Sequence, residues 1–275
     1  LALVEHTLFG IDDKVAYAVK HLRILEPPEG YCLKFSGGKD SQVIYHLAKE
    51  AGVSFRAQYD LTTVDPPELI HFIHDNYPDV VVNRPKTTMW RLIVKKRMPP
   101  TRLVRYCCDV FKEQGCPWNN RIITGVRWQE SPRRKGRSMI ETCQRDKGKE
   151  FINPIVNWSE AEVWEYLSGR PHCSLYDEGW TRIGCIGCPM AKTANREREL
   201  AKYPKFAEAY LRAFDRMLQA IKEHKGADWE VSTKWKTAED VYNWWLYGAE
   251  KIWEGNEQYY DLFYGDYYEQ FDERN

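Results

Sequence analysis

Apolar positions first recur at helical spacing over residues 11–25, with Ile11, Val15, Ala18, Val19 and Leu22 on one face, and the pattern stops at Pro27-Pro28. A short apolar run, Tyr31 to Phe35, then predicts a strand. It passes at once into Ser36-Gly37-Gly38-Lys39-Asp40-Ser41, after which Val43, Ile44, Leu47 and Ala48 restore the helical period as far as Gly52. The order is strand, glycine loop, helix. Further strands are predicted at 53–59, 80–82 and 121–124, and Pro66-Pro67-Glu68 suits the first turn of a helix between the first two of these. Strands alternating with helices of about ten residues indicate an α/β fold with a doubly wound, Rossmann-like parallel sheet. Ser159, with Glu162 three residues on, predicts a capped helix over 160–167. A stripe of Phe206, Tyr210, Ala213, Phe214, Met217, Leu218 and Ile221 reads as the core face of a long helix. The expected organisation is an α/β domain over 1–200 and a helical C-terminal region over 201–275, ending in an acidic tail with Tyr259, Tyr260, Tyr264, Tyr267 and Tyr268.

Composition changes this picture little: 43% of the 275 residues are hydrophobic and 29% charged, as in ordinary globular proteins. No apolar run approaches the roughly 20 residues of a membrane span, so none is expected. The first residues carry no basic leader before an apolar core, which places the chain in the cytoplasm as an expectation. Charge says more. The formal net charge is zero, yet 18 Lys/Arg stand against 5 Asp/Glu between Arg84 and Lys149. The balance therefore excludes a uniformly basic protein and leaves room for a local anion site; solvated helix faces are the plainer reading of the same run. Trp90, Tyr106, Trp118 and Trp128 interleave this basic stretch, a pattern that suits stacking on nucleic-acid bases or a nucleotide site, with Trp90 equally explicable as core.

The glycine loop carries the clearest chemistry. Gly37 and Gly38 let the backbone approach phosphate oxygens without a Cβ, and the helix beginning near Ser41 adds its partial positive charge. Lys39 can neutralise phosphate, Ser36 and Ser41 can donate hydroxyl hydrogen bonds, and Asp40 can hold Mg²⁺ or orient the loop. The string is not a Walker A loop, because GxxxxGK[ST] is absent.

Of the eight cysteines, Cys107-Cys108 and Cys185-Ile-Gly-Cys188 are spaced to serve one centre. Metal or redox chemistry is expected rather than a disulfide framework. Adjacent thiolates suit an iron–sulfur cube in which each iron takes its own sulfur; a tetrahedral zinc and a redox CxxC are the alternatives. Cys143 and Cys173 lie outside this set and read as sulfur carriers or as plain buried thiols, with His172 beside Cys173 placed to lower its pKa.

The glycine loop matches the pyrophosphate-binding signature of the adenine-nucleotide α-hydrolase superfamily, whose members cleave ATP between its α and β phosphates. Loop and cysteines together resemble the phosphoadenosine phosphosulfate (PAPS) reductase family, from about Tyr31 to Ala191. Within that stretch Asp60-Leu-Thr-Thr-Val-Asp-Pro-Pro-Glu68, Thr124-Gly-Val-Arg-Trp-Gln-Glu-Ser-Pro-Arg-Arg134 and Asn153-Pro-Ile-Val-Asn-Trp158 are similar to the family's segments. The resemblance implies nucleotide contacts at Ser36, Gly37, Gly38, Lys39, Ser41 and Asp60, with Lys39, Asp40 and Ser41 catalytic. It implies anion contacts at Arg127, Arg133 and Arg134, whose forked guanidinium groups fit sulfate or phosphate. It implies a [4Fe–4S] cluster on Cys107, Cys108, Cys185 and Cys188.

Two departures bear on activity. No cysteine follows Cys188, where sulfonucleotide reductases carry a Glu-Cys-Gly nucleophile, and the SGGKDS loop is intact where the reductases tend to have a degraded one. Both point toward an ATP pyrophosphatase that adenylates an acceptor for sulfur transfer. DNA phosphorothioation enzymes are similar in logic, and iron–sulfur tRNA thiolases run in parallel. The implied partners are ATP with Mg²⁺, a sulfur donor such as a cysteine desulfurase, and DNA or tRNA, with an oligomer left open. Sulfonucleotide reduction and a non-enzymatic nucleotide-binding iron–sulfur sensor are the rival readings.

Overall fold

The computed structural model describes residues 3–7, 10–112, 116, 119–143, 148–226 and 235–248. Trp118 and the tyrosine-rich tail lie outside the described residues. The chain divides into two compact units, one built from 1–86 with 108–185 and the other from 87–107 with 186–275.

The first unit opens with an antiparallel pair, β1 (Val4–Thr7) and β2 (Gly10–Asp13), followed by helix α1 (Lys14–Ile24). The sequence pattern starts the helix at Ile11, but Ile11 lies on β2 and is 65% exposed. The boundary is set by Asp13, whose carboxylate accepts from the N–H groups of Val15 and Ala16 as an N-cap.

A six-stranded sheet follows, in the order β5-β4-β3-β6-β8-β7. Its strands are β3 (Tyr31–Lys34), β4 (Phe55–Asp60), β5 (Val81–Asn83), β6 (Arg121–Ile123), β7 (Ile140–Thr142) and β8 (Glu150–Ile152). All pairings are parallel except β7 with β8. The chain leaves β3 toward β4 and β5 on one side and later returns to build β6 and β8 on the other. The carboxyl end of β3 is therefore a switch point, the place where doubly wound sheets leave a crevice for ligands. Leu33, Ile123 and Ile152 are fully buried, as strands covered on both faces require. β7 and β8 were not legible in advance: Ile140-Glu141-Thr142 and Glu150-Phe151-Ile152 mix polar with apolar positions and lack the apolar run that marks β5 and β6.

Helices α2 (Lys39–Ala51), α3 (Pro67–Asn76) and α6 (Glu160–Tyr166) match the predicted ones. Gly52 ends α2 in the left-handed conformation, and Ser159 with Glu162 forms the capping box of α6. Cys32 on β3 and Cys116, on the way to β6, are both fully buried and form a disulfide with Cα atoms 6.2 Å apart. The expectation is metal or redox chemistry rather than a disulfide framework, and it does not name this bridge; its cause is topological, since β3 and β6 are neighbours and residues beside them meet.

His46 on α2 shows how closely this core is packed. Burial, with Arg170 and Lys49 adding like charge, pulls its pKa from 6.5 down to about 4. Below pH 6.5 the unfolded chain therefore binds a proton that the folded chain refuses until about pH 4. Stability should fall across that window as the pH drops, with a slope approaching about one proton per unfolding event. His46→Gln should flatten the slope in acid denaturation followed by circular dichroism.

The second unit contains α4 (Met89–Lys96), α7 (Thr193–Lys202), α8 (Pro204–Lys225) and α9 (Ala238–Tyr247). Helix α5 (Tyr106–Phe111) contains the point where the chain passes between units. The predicted stripe on α8 is the core face: Tyr210, Ala213, Phe214, Met217, Leu218 and Ile221 are all buried. Trp90 on α4 stands edge-on to Tyr210 at 5.0 Å, and Tyr106 is buried with its hydroxyl donating to Met98 O. Tyr106 is therefore core, while Trp90 is half-buried against α8. Trp128, in the first unit, is 42% exposed, and its indole N–H donates to Arg137 O. No helix among the described residues is long and apolar enough to cross a membrane.

Candidate functional site

The loop Ser36–Ser41 follows β3 and runs into α2. Gly37 has φ +72°, and a Cβ there would meet Ile73 and Leu69 side chains at 2.7 Å, so the residue answers both the left-handed turn and the close approach of α3. The Gly37 carbonyl accepts from Gln42 Nε2, and Tyr77 in turn donates its hydroxyl to Gln42 Oε1. The first backbone bond of α2 runs from Gln42 N–H to Gly38 O, so the N–H groups of Lys39, Asp40 and Ser41 have no partner within the helix. Ser41 Oγ donates to Gly38 O at 2.8 Å and accepts from Ser36 Oγ at 3.2 Å. These serines brace the loop against itself, with Ser36 at the exposed end and Ser41 buried.

Lys39 is only 5% exposed. Its Nζ donates to Thr181 O at 2.8 Å, lies 3.6 Å from Glu160 Oε1, and sits 5.5 Å from the centre of the Tyr176 ring. The Tyr176 hydroxyl accepts from the Lys39 backbone N–H at 2.9 Å. The segment 176–181 thus occupies one loop donor and holds the lysine amine at hand. Nothing in the sequence near Tyr176 signalled this contact, because it joins residues 137 apart.

Asp40 faces Arg127. The guanidinium, 2% exposed, donates from Nε to Asp40 Oδ1 at 2.6 Å and from Nη1 to Trp158 O at 3.2 Å. Burial raises the Asp40 carboxyl above its usual value, while Arg127 and Lys39 pull it back. Gly125 brings the same segment against the loop: a Cβ there would lie 3.0 Å from the Asp40 carbonyl. Arg133 is exposed, and Arg134 is ion-paired with Glu130. Of the three arginines expected to meet an anion, the structure therefore sets Arg127 against the loop and leaves Arg133 at the surface. Asp60, at the end of β4, accepts from Lys34 Nζ at 2.6 Å, Gln58 Nε2 at 2.6 Å and Asn83 Nδ2 at 3.0 Å, so its carboxylate is held by protein donors.

The cysteines divide between the units: Cys108 and Cys185 belong to the first, Cys107 and Cys188 to the second. None of the four is in a disulfide. The Cys185 thiol donates to Thr62 Oγ1 at 3.4 Å. Among the described residues no group of three His, Cys, Asp or Glu side chains is gathered as a metal ion requires. Cys173 is fully buried and burial raises its thiol pKa, while His172 is turned to Asp177 at 2.8 Å, so the neighbouring imidazole does not activate it. Cys143 is partly exposed.

The chain belongs to the phosphoadenosine phosphosulfate reductase domain family, which matches residues 30–191. Over 219 residues it is 27% identical to an uncharacterized protein of Methanocaldococcus jannaschii, an alignment covering 74% of this chain and 44% of that one. Over 170 residues it is 25% identical to adenosine 5'-phosphosulfate reductase of Bacillus thuringiensis, covering 56% and 71% of the two chains. Among solved structures it is similar to phosphoadenylyl-sulfate reductase from Candida auris, a phosphate complex, with 19% identity, a TM-score of 0.47 and coverage of 61% and 86%. The chain spans less than half the length of the archaeal relative.

Proposed function

We propose that this chain is an ATP pyrophosphatase that adenylates an acceptor for sulfur transfer. The observation that carries the reading is the intact Ser36–Ser41 loop at the switch point of the sheet, with the N–H groups of Asp40 and Ser41 outside the helix ladder and a buried lysine beside them. ATP offers such a loop two phosphates beyond the α phosphate, where a sulfonucleotide offers a single sulfate. ATP arrives with Mg²⁺ as substrate. Loop N–H groups and the Lys39 amine, released from Thr181, take the β and γ phosphates and stabilise the charge on the leaving pyrophosphate. An acceptor oxygen attacks the α phosphorus, the bond to the β-phosphate oxygen breaks, and pyrophosphate leaves. A sulfur nucleophile then replaces the adenylated oxygen and AMP departs. Asp40, with Oδ1 committed to Arg127, orients the loop in this scheme.

Cys107, Cys108, Cys185 and Cys188 would hold a [4Fe–4S] cluster. A set of thiols alone fits its chemistry, since each iron of such a cluster takes its own thiolate. When bound, such a cluster supplies sulfur ligation or electron storage. A cysteine desulfurase is the donor the chemistry calls for, and the basic segment 84–149 favours DNA or tRNA as acceptor.

The test is pyrophosphate release by the anaerobically purified protein given ATP, cysteine with its desulfurase, and DNA, tRNA or small acceptors in turn. Stimulation by one acceptor class is expected. ATP binding without pyrophosphate or AMP under every combination would favour the sensor reading instead.

A further inference from the structure

The basic run over 84–149 is divided between the two units, and its parts are neutralised differently. In the first unit four of its arginines are ion-paired: Arg121 with Glu150, Arg127 with Asp40, Arg134 with Glu130 and Arg137 with Glu141. The second unit takes residues 87–107, which carry six Lys/Arg and no Asp/Glu. Arg91, Lys95, Lys96, Arg97 and Arg102 are exposed, and Arg105 is half-buried. Among the described residues none of the six meets a carboxylate. Lys96 Nζ lies 5.9 Å from the centre of the Tyr106 ring, and Arg102 Nη2 donates to Met190 O at 3.4 Å.

These cations stand on a fixed frame. Met89, Leu92 and Ile93 bury one face of α4, while Arg91 and Lys95, four residues apart, share the exposed one. Arg97 ends the helix at φ +54°, a left-handed position where glycine costs least. The loop that follows is tied back by the Tyr106 hydroxyl to Met98 O, by Trp245 Nε1 to Pro100 O at 3.0 Å, and by Thr101 N–H to Val104 O. Arg97, Arg102 and Arg105 therefore leave an anchored backbone. A helix C-terminus favours cations, which accounts for Lys95, Lys96 and Arg97. It does not account for Arg91, in the first turn where a cation is disfavoured, nor for Arg102 and Arg105 beyond the helix. Like charges four residues apart also repel. Charge gathered at this cost calls for a polyanion.

We propose that this face, α4 with residues 97–105, is the docking surface for the sugar–phosphate backbone of a nucleic acid. The apolar side of α4 is already in the core, and Leu103 is the one exposed large apolar residue of the segment, so no apolar face is left to enter a membrane. Protein–protein interfaces are depleted of charge at their centre, which six uncompensated cations do not suit. Phosphates repeated along a strand do suit them, each contact releasing a counterion. The proposal rests on the reading of a nucleic acid as sulfur acceptor and narrows it to the second unit. Docking is measured without ATP, so it and ATP cleavage can fail separately.

The test titrates the full chain against a fluorescent DNA duplex and an RNA hairpin, followed by anisotropy from about 50 to about 200 mM salt. The logarithm of the binding constant should fall against that of salt with a slope of about −5, an affinity loss of about a thousandfold over the range. Replacing four exposed cations together, by Arg91→Gln, Lys95→Gln, Arg97→Gln and Arg102→Gln, should bring the slope to about −2 and the loss to about tenfold. An equal charge change on α1 and α8, by Lys20→Gln, Arg216→Gln, Lys222→Gln and Lys225→Gln, should keep the wild-type slope. Binding of this kind to either nucleic acid supports the proposal, and the tighter one indicates the acceptor class. No binding by the wild type, a wild-type slope shallower than about −2, or an equal loss in both variants overturns it. So does capture by phosphatidylserine vesicles without binding to either nucleic acid. If the Arg91 variant does not fold, the wild-type slope decides alone.

Discussion

Replacing Lys39 with methionine is expected to lower ATP turnover by about two orders of magnitude, the effect of removing one electrostatic stabiliser of a leaving group, while leaving the fold intact. The reasons lie in where the amine sits. In the resting protein it is a nearly buried charge satisfied by the Thr181 carbonyl, with Glu160 at the edge of ion-pair range. Methionine has about the same length and no charge, so the desolvation cost of the ammonium disappears together with its hydrogen bond, and the two largely offset. A shift in melting temperature of a few degrees at most is therefore expected. Pyrophosphate release and thermal unfolding measured on the same preparation separate the effects. Turnover within threefold of wild type would remove Lys39 from the phosphate site.

The second large effect is structural and falls on Arg127→Leu. Breaking a buried ion pair from one side leaves the other charge without compensation, at a cost of about 3 kcal/mol. Asp40 would be that charge. Burial already raises its pKa, with Arg127 the main group holding it down, so without the guanidinium the carboxyl rises further. The folded chain then holds the Asp40 proton more tightly than the unfolded chain does. Stability in this variant should therefore be greatest in acid and should fall as the pH rises through the folded pKa of Asp40. Asp40→Asn added to Arg127→Leu should remove that pH dependence and recover part of the loss, a coupling that a double-mutant cycle reads directly. An arginine that instead met the substrate anion would give the opposite pattern: an unchanged melting temperature and a raised KM.

The contrast between Lys39 and Arg127 shows what the sequence could and could not say. Strand, loop and helix around Ser36–Ser41 were legible because they are local: a run of apolar residues, two glycines and a helical period lie within some twenty positions. The capping box at Ser159 was legible for the same reason. Arg127 read as an anion ligand because its chemistry fits one, yet whether a guanidinium meets a substrate or a carboxylate of its own chain depends on a contact between residues 87 apart. The Tyr176–Lys39 contact and the Cys32–Cys116 disulfide are of the same kind. Trp90 and Tyr106 illustrate the other limit. Their spacing among basic residues suits base stacking, but exposure is settled by what packs on them: Tyr106 is buried, and Trp90 is half-buried against α8.

The central claim is cleavage of ATP between its α and β phosphates, and the direct measurement is product identity. Anaerobically purified protein is given ATP in one reaction and adenylyl sulfate with a thiol reductant in another, each with a sulfur donor and acceptor present, and the nucleotides, phosphates and sulfite are quantified. The account predicts AMP and pyrophosphate in equal amounts from ATP, no ADP, and no sulfite from adenylyl sulfate. Sulfite from the sulfonucleotide without any need for ATP, or ADP and phosphate in place of AMP and pyrophosphate, would contradict it.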